Sequence, residues 1–342
     1  MMSESGMSHR WNALPGQHIA IFRALPGLGD MLCVVPALRA LRAALPDATV
    51  TLIGLPWARA IVERFPIYLD DFLPFPGYPG LAEGSGDPHA VVAFFAAAQE
   101  MRFDLALQMH GSGGITNPVA VLLGARQTAG FYEPGRYCPD PDRFIPFPAN
   151  EPEICHHLKL LDVLGIPSRG TDLEFPIYQE DRDALRSLME TGDLRSGEYA
   201  CIHPGFNTPA HRWQPEQFAA IADALAARGF RIVLTGTAKE ADATRAVAAA
   251  MHAPPIDLAG RTDLGMLAAL YADARLLVCN DTGVSHLAAA VGLPSVVIFA
   301  SPDTTRWAPL DRQRHRVIHH ATVAKAIEQA DELLARETIH AA

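Results

Sequence analysis

Cysteine is scarce and scattered in this chain, and the lack of closely spaced cysteine pairs argues against several classes of protein. Only five of the 342 residues are cysteine, and no two of them have the C-x-x-C spacing of zinc sites and redox motifs. An odd, scattered set of thiols is typical of proteins from a reducing compartment. We therefore expect no disulfide scaffold, and we expect most of the cysteines to be small core residues.

Long apolar runs and an excess of positive charge are also missing. No run approaches the ~20 apolar residues that span a bilayer, and the polar residues 1–17 lack the apolar segment of a signal peptide. These features predict a soluble, cytoplasmic protein. Lys and Arg number 28 against 38 Asp and Glu, which gives a formal net charge of −10 and argues against nucleic acid as a partner.

Hydrophobic residues, by contrast, are plentiful and occur in alternating strand and helix patterns. The chain is 49% hydrophobic and 19% charged, the composition of a packed α/β protein, and its length suffices for two cores. Strands are predicted at residues 19–25, 50–53, 72–74, 105–109, 199–203, 231–235, 276–279 and 295–299. Helices are predicted at residues 31–44, 57–65, 89–101, 154–164, 215–228, 239–251, 263–272, 284–291 and 323–336.

This alternation specifies parallel sheets that are covered by helices on both faces. We predict two doubly wound α/β domains, at residues 18–170 and 171–342, preceded by a flexible tail at residues 1–17. Because the carboxyl ends of parallel strands carry the binding sites of such domains, we expect a cleft between the two sets of strand ends.

The clearest functional motif lies at residues 280–286, between two apolar strands. Asp281 or Thr282 fits a helix cap, and Gly283 allows a ligand to approach the backbone closely. A helix that begins at a strand end presents free N–H groups and the positive end of its dipole, which favours phosphate. The alternative is a plain capping turn with His286 as a half-buried core residue. An aspartic protease, which needs two such carboxylates, is disfavoured because Asp-Thr-Gly occurs once.

The turn at residues 27–30 is similar to a dinucleotide-binding loop but lacks its third glycine. Leu32 stands where G-x-G-x-x-G requires glycine, which disfavours a nicotinamide or flavin cofactor. Asp30 begins a helix instead, either as an N-cap or as a general base that takes a proton from an attacking hydroxyl. The helix N-terminus favours the ionised carboxylate, which makes it ready to accept a proton but weaker as a base.

Two further strand-end turns carry candidate binding residues. Arg212 follows the strand predicted at 199–203, where a guanidinium suits a diphosphate oxygen; the alternative is a surface arginine. The turn at residues 235–240 contains Thr237 and Glu240. Glu240 either holds ribose hydroxyls or is a solvated glutamate in the first turn of a helix.

No metal site is predicted from the sequence. Asp140 and Asp142 have the spacing of a metal-binding D-x-D motif, but they lie in a proline-rich passage without further oxygen ligands, which indicates a turn. His156 and His157 are adjacent on a predicted helix, where consecutive side chains do not face each other.

Taken together, these motifs resemble glycosyltransferase family 9, the heptosyltransferases. Residues 22–30 and 36–41 are similar to the opening of that family, and residues 280–290 and 301–309 are similar to its C-terminal signature. The similarity extends over residues 19–334. It implies a GT-B fold, in which two Rossmann-like domains face each other across a cleft, with the acceptor on the N-terminal domain and the nucleotide sugar on the C-terminal one.

The resemblance also implies roles for individual residues. Asp30 looks like the catalytic base, and Arg212 takes the place of a basic residue, often Lys, that neutralises the leaving diphosphate. The residues assigned to the nucleotide sugar are Gly29, Thr237, Glu240, Asp281, Thr282, Gly283 and His286, with Glu240 as the ribose-binding acid. The chain departs from the family at Ala300, where a glycine is usual, and at Arg212 itself.

The implied reaction moves a heptose from ADP-heptose to a hydroxyl of the lipopolysaccharide inner core, with inversion at the anomeric carbon and without a metal or other cofactor. The expected partners are the nucleotide sugar and the lipopolysaccharide core or another glycan, with peripheral contact to the inner membrane. Three alternatives stay open at this point. They are a protein acceptor, an epimerase or hydrolase that works without an acceptor, and a nucleotide-sugar-binding protein without activity.

Overall fold

The computed structural model describes residues 17–84, 86–188, 194–205, 213–299, 304–319 and 321–340. The side chains of residues 337–340 are not described, and Arg212 lies outside the described residues. The chain divides between Thr171 and Asp172 into two compact units, named unit 1 and unit 2 in chain order.

Unit 1 is built on one six-stranded parallel sheet. Its strands are β1 (His18–Phe22), β2 (Thr49–Gly54), β3 (Asp71–Pro74), β4 (Leu105–Gln108), β5 (Gln127–Tyr132) and β6 (Phe144–Pro146). Its helices are α1 (Leu28–Leu32), α2 (Val35–Ala44), α3 (Arg59–Arg64), α4 (Pro88–Glu100), α5 (Thr116–Leu122) and α6 (Glu153–Val163). The strands lie in the order β3-β2-β1-β4-β5-β6, and each neighbouring pair is parallel.

Unit 2 repeats this plan with a second six-stranded parallel sheet. Its strands are β7 (Tyr199–His203), β8 (Arg231–Leu234), β9 (Ile256–Asp257), β10 (Leu276–Asn280), β11 (Ser295–Phe299) and β12 (His315–His319). Its helices are α7 (Gln179–Leu188), α8 (Pro215–Ala227), α9 (Ala241–Ala250), α10 (Leu264–Asp273), α11 (Gly283–Val291) and α12 (Val323–His340). The strand order is β12-β11-β10-β7-β8-β9, again with parallel pairs.

The two sheets share one topology, in which the first and fourth strands of each unit are neighbours. Phe22 of β1 pairs with Gln108 of β4 in unit 1, and His203 of β7 pairs with Cys279 of β10 in unit 2. The strand order reverses at these pairs, so a crevice opens at their carboxyl ends. Doubly wound proteins bind ligands in that crevice.

Burial follows from the apolar sequence of the central strands. Each of the strands β7, β10 and β11 has five residues, and all of them are buried, as expected for strands that are covered on both faces. Helix α8 places an apolar stripe against this sheet, at the spacing of a single helical face: Phe218, Ile221, Ala222 and Leu225. Burying one such side chain contributes roughly 1.5–3 kcal/mol, so this packing fixes the strand ends that carry the site.

Two predicted elements of unit 1 differ from the structure by more than two residues. Strand β1 ends at Phe22, three residues before its predicted end, because the chain then turns toward α1. The single helix predicted at residues 31–44 is two helices, α1 and α2, separated at residues 33–34. Pro36 lies in the first turn of α2 and has no N–H to donate to the carbonyl of Leu32, so a continuous helix is disfavoured.

Six elements have no counterpart in the sequence prediction: α5, α7, β5, β6, β9 and β12. Strand β6 falls inside the proline-rich passage that contains Asp140 and Asp142, and Pro146 ends it at the edge of the sheet, where a missing N–H is tolerated. Strand β9 has only two residues, too few for an alternating pattern. Helix α7 buries only Asp181 and Leu185, so it has no apolar stripe that periodicity could detect.

Candidate active site

Asn280 joins the carboxyl ends of β7 and β10 in unit 2. Its side-chain Nδ2 donates hydrogen bonds to the carbonyl oxygens of Pro204, at 3.0 Å, and Gly205, at 3.3 Å. Asn280 is buried, where hydrogen bonds are stronger than in water. The turns that follow β7 and β10 are therefore held together at the crevice of this sheet.

Helix α11 begins at Gly283, three residues after Asn280, and its N-terminus lies at the same crevice. Thr282 is the N-cap, with an extended backbone at φ −147° and ψ 173°, and its side chain makes no capping hydrogen bond. Its Oγ1 is buried and has no hydrogen-bond partner in the described part of the chain. Ser285 stabilises the first turn of α11, because both its backbone N–H and its hydroxyl donate to the carbonyl oxygen of Thr282. An unpartnered hydroxyl and a positive dipole end thus lie at one place.

Asp281 lies between the strand and the helix, and its carboxyl is largely withdrawn from water. Its backbone N–H donates to the carbonyl oxygen of Ile298 at 3.0 Å, which continues the β10–β11 pairing by one residue. Burial raises the pKa of Asp281 to about 7, because the charged form loses hydration. Near neutral pH this carboxyl is therefore present both as a proton donor and as an anion.

His286 is on the first turns of α11 and is buried. Its ring lies 6.3 Å from that of Trp307, at 74° in an edge-to-face arrangement, and the guanidinium of Arg306 lies over the Trp307 ring at 4.7 Å from its centroid. These contacts connect α11 to the segment that follows β11. Trp307 and Arg306 belong to the motif that carries the family resemblance, but their contacts with each other and with His286 are tertiary and were not predicted.

Thr237 and Glu240, which follow β8, are joined by hydrogen bonds. Both the backbone N–H and the hydroxyl of Thr237 donate to Glu240 Oε2, each at 2.8 Å, which caps a short 3-10 helix at residues 238–240. A Cβ placed on Gly205 would lie 2.1 Å from Glu240 Oε1. Glycine at position 205 is therefore what allows the Glu240 carboxylate to approach the turn after β7.

A buried chain of hydrogen bonds leads from Tyr271 toward the carboxylate of Glu240. Tyr271 and Thr235 are joined through their hydroxyls at 3.1 Å, and Thr235 Oγ1 lies 3.0 Å from His203 Nδ1. His203 Nε2 lies 3.9 Å from Glu240 Oε2. Burial lowers the pKa of His203, although the Glu240 carboxylate opposes this shift. His203 was not predicted as a site residue; its position at the end of a central strand was the only available signal.

Asp30 lies in unit 1, in the first turn of α1, and Gly29 is buried beside it. The N-cap of α1 is Gly27 rather than Asp30, so the capping interpretation of Asp30 is wrong. The side chain of Asp30 is 19% exposed. A Cβ on Gly27 would lie 2.3 Å from Asp30 Oδ2, so the carboxylate folds back over the backbone of Gly27, the N-cap of α1.

Arg23 lies beneath Asp30 and is completely buried. Its Nε donates to the backbone carbonyl oxygen of Asp30 at 2.7 Å, and its Nη1 donates to that of Met109 at 2.5 Å. Its Nη2 donates to Glu153 Oε1 at 3.0 Å and lies 3.8 Å from Asp30 Oδ1. One guanidinium therefore connects the end of β1 with α1, α6 and the residue after β4.

Glu153 is the buried counter-ion of Arg23 and also faces two histidines. His156 Nδ1 and His157 Nε2 lie 3.2 and 3.4 Å from its carboxylate oxygens. Burial alone would raise the pKa of Glu153, but the two imidazoles and Arg23 hold it well below its usual range. Burial and Arg23 lower the pKa of His157 to about 4, against the opposing effect of Glu153. The i, i+3 and i, i+4 spacing from Glu153 was the missed signal.

His110, two residues after β4, is another buried residue of this crevice that the sequence analysis missed. The backbone N–H of Ala24 donates to its Nδ1 at 3.0 Å, which leaves the neutral ring with its proton on Nε2. That nitrogen lies 3.7 Å from Glu83 Oε2, and the ring stacks on Phe22 at 5.2 Å. Burial, together with the charge of Arg23, lowers the pKa of His110 to about 4.

The structure thus brings six of the predicted site residues together around the β7–β10 crevice of unit 2: Thr237, Glu240, Asp281, Thr282, Gly283 and His286. Gly29 and Asp30 lie at the corresponding crevice of unit 1, between β1 and β4. Within the described ranges, no group of three or more His, Cys, Asp and Glu residues is placed to hold a metal ion. None of the described helices combines the length and the apolarity needed to cross a membrane.

Comparison with known proteins assigns the chain to a family. The family model described as glycosyltransferase family 9 (heptosyltransferase) matches residues 91–335, well over half of the chain. The chain belongs to glycosyltransferase family 9. It is 26% identical over 317 residues to lipopolysaccharide heptosyltransferase 2 of Salmonella typhimurium, and this similarity covers 89% of this chain and 88% of the relative. The resemblance seen in the sequence motifs is confirmed, and the chain is a glycosyltransferase.

Solved structures confirm the predicted fold. A glycosyltransferase family 9 protein from Veillonella parvula has a TM-score of 0.80 at 20% identity, over 94% of this chain and 98% of the other. The E. coli ADP-heptose lps heptosyltransferase II has a TM-score of 0.75 at 21% identity, over 94% and 99%. At these identities the likeness speaks for the fold alone. The α/β, GT-B architecture of two Rossmann-like sheets is thus confirmed.

Proposed function

We propose that this glycosyltransferase moves a heptose from ADP-heptose to a hydroxyl of the lipopolysaccharide core. The family match and the Salmonella relative, which is named a lipopolysaccharide heptosyltransferase, support the sugar and the acceptor class. The E. coli structure, whose description includes ADP-heptose, supports the donor. With such an acceptor, the enzyme would work at the cytoplasmic face of the inner membrane, in peripheral contact with it.

The observation that carries this proposal is the start of α11. The hydroxyl of Thr282 is buried without a partner among the described residues, at the N-terminus of a nine-residue helix. Burying a hydroxyl without a hydrogen bond destabilises a protein by about 1–3 kcal/mol. A diphosphate would accept from this hydroxyl and from the N–H groups of Gly283 and Val284, and it would interact favourably with the helix dipole. The donor diphosphate therefore fits this site.

The other donor contacts follow from the same crevice. Glu240 uses Oε2 to accept from Thr237 and has Oε1 at the Gly205 backbone, where it would accept from ribose hydroxyls. Asp281, just before α11, and His286, near its start, are assigned to the phosphate and the sugar. These assignments deepen the prediction from the resemblance, and each is a proposal about this chain.

The acceptor side of the proposal rests on Asp30. Its carboxylate takes the proton from the acceptor hydroxyl as that oxygen bonds to the anomeric carbon, and the bond from that carbon to the diphosphate oxygen breaks. Attack from the face opposite the diphosphate inverts the anomeric centre, and ADP leaves. The start of α11 and, from the sequence, Arg212 would stabilise the charge that remains on ADP. No step of this scheme needs a metal ion.

A donor screen by thermal unfolding tests the proposal. At about 100 times its dissociation constant, a ligand adds about 2.7 kcal/mol to the free energy of unfolding. ADP-heptose should stabilise the wild-type protein and Asp30→Asn equally, because Asp30 is assigned to the acceptor. UDP- and GDP-sugars serve as controls. Stabilisation by UDP- or GDP-sugars and not by ADP-heptose would contradict the donor assignment. Full consumption of ADP-heptose without any acceptor would contradict transfer.

A further inference from the structure

Arg23 is a buried cation in direct reach of the residue assigned as the catalytic base. We propose that Arg23 is a positioning residue for Asp30, which fixes the direction of its carboxylate and places a positive charge beside it. The inference rests on the proposed function, because it gives Arg23 a role only if Asp30 takes the proton. Glu153 is the second part of this arrangement, since it anchors the guanidinium that reaches Asp30.

Arg23 holds the main chain of Asp30 as well as its side chain. Arg23 Nε donates to the carbonyl oxygen of Asp30 at 2.7 Å, while Nη1 donates to that of Met109 at 2.5 Å. Helix α1 has only five residues, so its own hydrogen bonds determine its position poorly. The planar guanidinium, with donors in fixed directions, therefore sets where α1 lies relative to the ends of β1 and β4.

The side chain of Asp30 is then held between two groups. Its Oδ1 lies 3.8 Å from Arg23 Nη2, and its Oδ2 lies where a Cβ on Gly27 would be only 2.3 Å away. The first contact attracts the carboxylate toward the buried cation, and the missing side chain at Gly27 leaves room for it. The Asp30 carboxylate therefore has one oxygen directed toward a cation, while its side chain stays 19% exposed. It is oriented and still accessible to an acceptor hydroxyl.

The other titratable groups around Arg23 determine which anions its charge can attract. Glu153 faces it from α6 at 3.0 Å through Oε1. His157 lies against the same oxygen, and His156 lies against Oε2. His110 faces it from two residues after β4. Burial and the charge of Arg23 lower the pKa of both His110 and His157 to about 4, so these rings are neutral at pH 7. Among the described groups around Arg23, Glu153 and Asp30 are thus the two anions.

The test separates a positioning role from a merely structural one. The main variant is Arg23→Met combined with Glu153→Gln, which removes both buried charges and leaves neither unpaired. The matched control is Arg42→Met. Arg42 also donates to backbone carbonyl oxygens, those of Pro46, Ala48 and Tyr68, and to the carboxylate of Asp70, but it makes no described contact with Asp30. Both variants are assayed for ADP-heptose affinity, KM and kcat.

We expect the Arg23→Met/Glu153→Gln variant to lose about 10- to 100-fold in kcat, since small displacements of a reacting group have effects of that size. Its affinity for ADP-heptose should stay within about twofold, and Arg42→Met should keep its kcat. In an Asp30→Asn background, the same double change should leave the residual rate within about twofold. An equal loss of kcat in both backgrounds, or no loss in either, overturns the inference.

Two further readouts keep the test decisive. The acid limb of the pH profile should move to higher pH in the double variant, because a carboxylate that loses a nearby cation ionises less readily. Arg23→Lys retains a cation, so its acid limb should stay near the wild-type position even though its kcat falls. An acid limb that shifts equally in both variants overturns the inference. Normal turnover of Asp30→Asn itself would refute the proposed role of Asp30, which is a distinct result.

Discussion

Two threonines of unit 2 differ in what their hydroxyls contact, and this difference separates binding from stability. Thr282 Oγ1 is buried without a partner in the described residues, whereas Thr235 Oγ1 lies 3.0 Å from His203 and 3.1 Å from Tyr271. Thr282→Val should therefore keep or raise the free energy of unfolding, while it weakens ADP-heptose binding by about 1.5–3 kcal/mol, the range for hydrogen bonds to charged groups.

Thr235→Val is the matched control for this prediction, because the chemical change is the same. It breaks a satisfied buried network and should lower the free energy of unfolding by about 1–3 kcal/mol. Chemical denaturation and isothermal titration with ADP-heptose measure both quantities. If Thr282→Val binds ADP-heptose as tightly as the wild type, its hydroxyl does not contact the diphosphate.

The raised pKa of Asp281 predicts that donor binding depends on pH. Burial raises its pKa from 3.8 to about 7, so below pH 7 it carries a proton that a phosphate oxygen can accept, and above pH 7 it repels the diphosphate. Affinity for ADP-heptose, whose diphosphate does not titrate in this range, should fall above pH 7 by up to about tenfold per pH unit. Asp281→Asn should abolish this dependence when titrations are compared between pH 6 and 9.

The same carboxyl predicts a pH effect on the free protein. Between pH 3.8, where it ionises in the unfolded chain, and about 7, the folded state retains a proton that the unfolded state has lost. Its contribution to stability therefore decreases as pH rises through this window. Asp281→Asn should remove that part of the slope. An unchanged slope in the variant would show that other groups are responsible.

At the scale of elements, the turn after β7 determines where Glu240 lies. Gly205 approaches that carboxylate so closely that an added Cβ would be 2.1 Å from Oε1 and 2.9 Å from His203 Nε2. Gly205→Ala should displace the flexible Glu240 side chain and weaken ADP-heptose binding by about tenfold, the effect of losing a hydrogen bond to a charged group. A probe that lacks ribose, such as inorganic diphosphate, should bind as before.

Gly114→Ala is a suitable control for this change, because a Cβ there meets nothing within 4 Å. It should leave both affinity and stability unchanged. Equal weakening of ADP-heptose and inorganic diphosphate by Gly205→Ala would show that the substitution disturbs the whole crevice and not the ribose contact alone. Isothermal titration with both ligands measures the difference.

Elements were predictable where their apolar pattern was strong and unpredictable where tertiary contacts decide. The central strands β7, β10 and β11 are continuously apolar, so their position followed from the sequence. The break between α1 and α2 was missed because an apolar helical pattern runs across it, although Pro36 prevents one hydrogen bond. Strands β6 and β9, of three and two residues, exist only because a neighbouring strand pairs with them.

At the scale of the whole molecule, each unit repeats the same strand order, and the donor contacts proposed for the described residues lie mostly in unit 2. Hydrogen–deuterium exchange with ADP-heptose should therefore show protection concentrated at residues 203–205, 237–240 and 281–286. These segments hold the backbone N–H groups nearest the proposed diphosphate and ribose positions. Protection confined to residues 18–170 would contradict the assignment of the donor to unit 2.

The site was predictable only in part, for a physical reason. The strand-end motifs around Asp30 and Thr282 are local in sequence, so the chain alone indicated them. Arg23 and His203 are separated from their partners by up to 130 residues, and only the fold brings those partners together. The family resemblance indicated candidate site residues, while the buried groups that contact them required the structure.

The most direct test of the account is transfer itself. Wild-type protein and Asp30→Asn are incubated with ADP-heptose and a heptose-deficient lipopolysaccharide core, and the acceptor is followed by mass spectrometry. We expect the wild type to add one heptose and release ADP, and the variant to be slower by about 10²–10⁴-fold with unchanged donor affinity. An acceptor that gains no heptose with the wild type, or gains it equally fast with Asp30→Asn, would contradict the account.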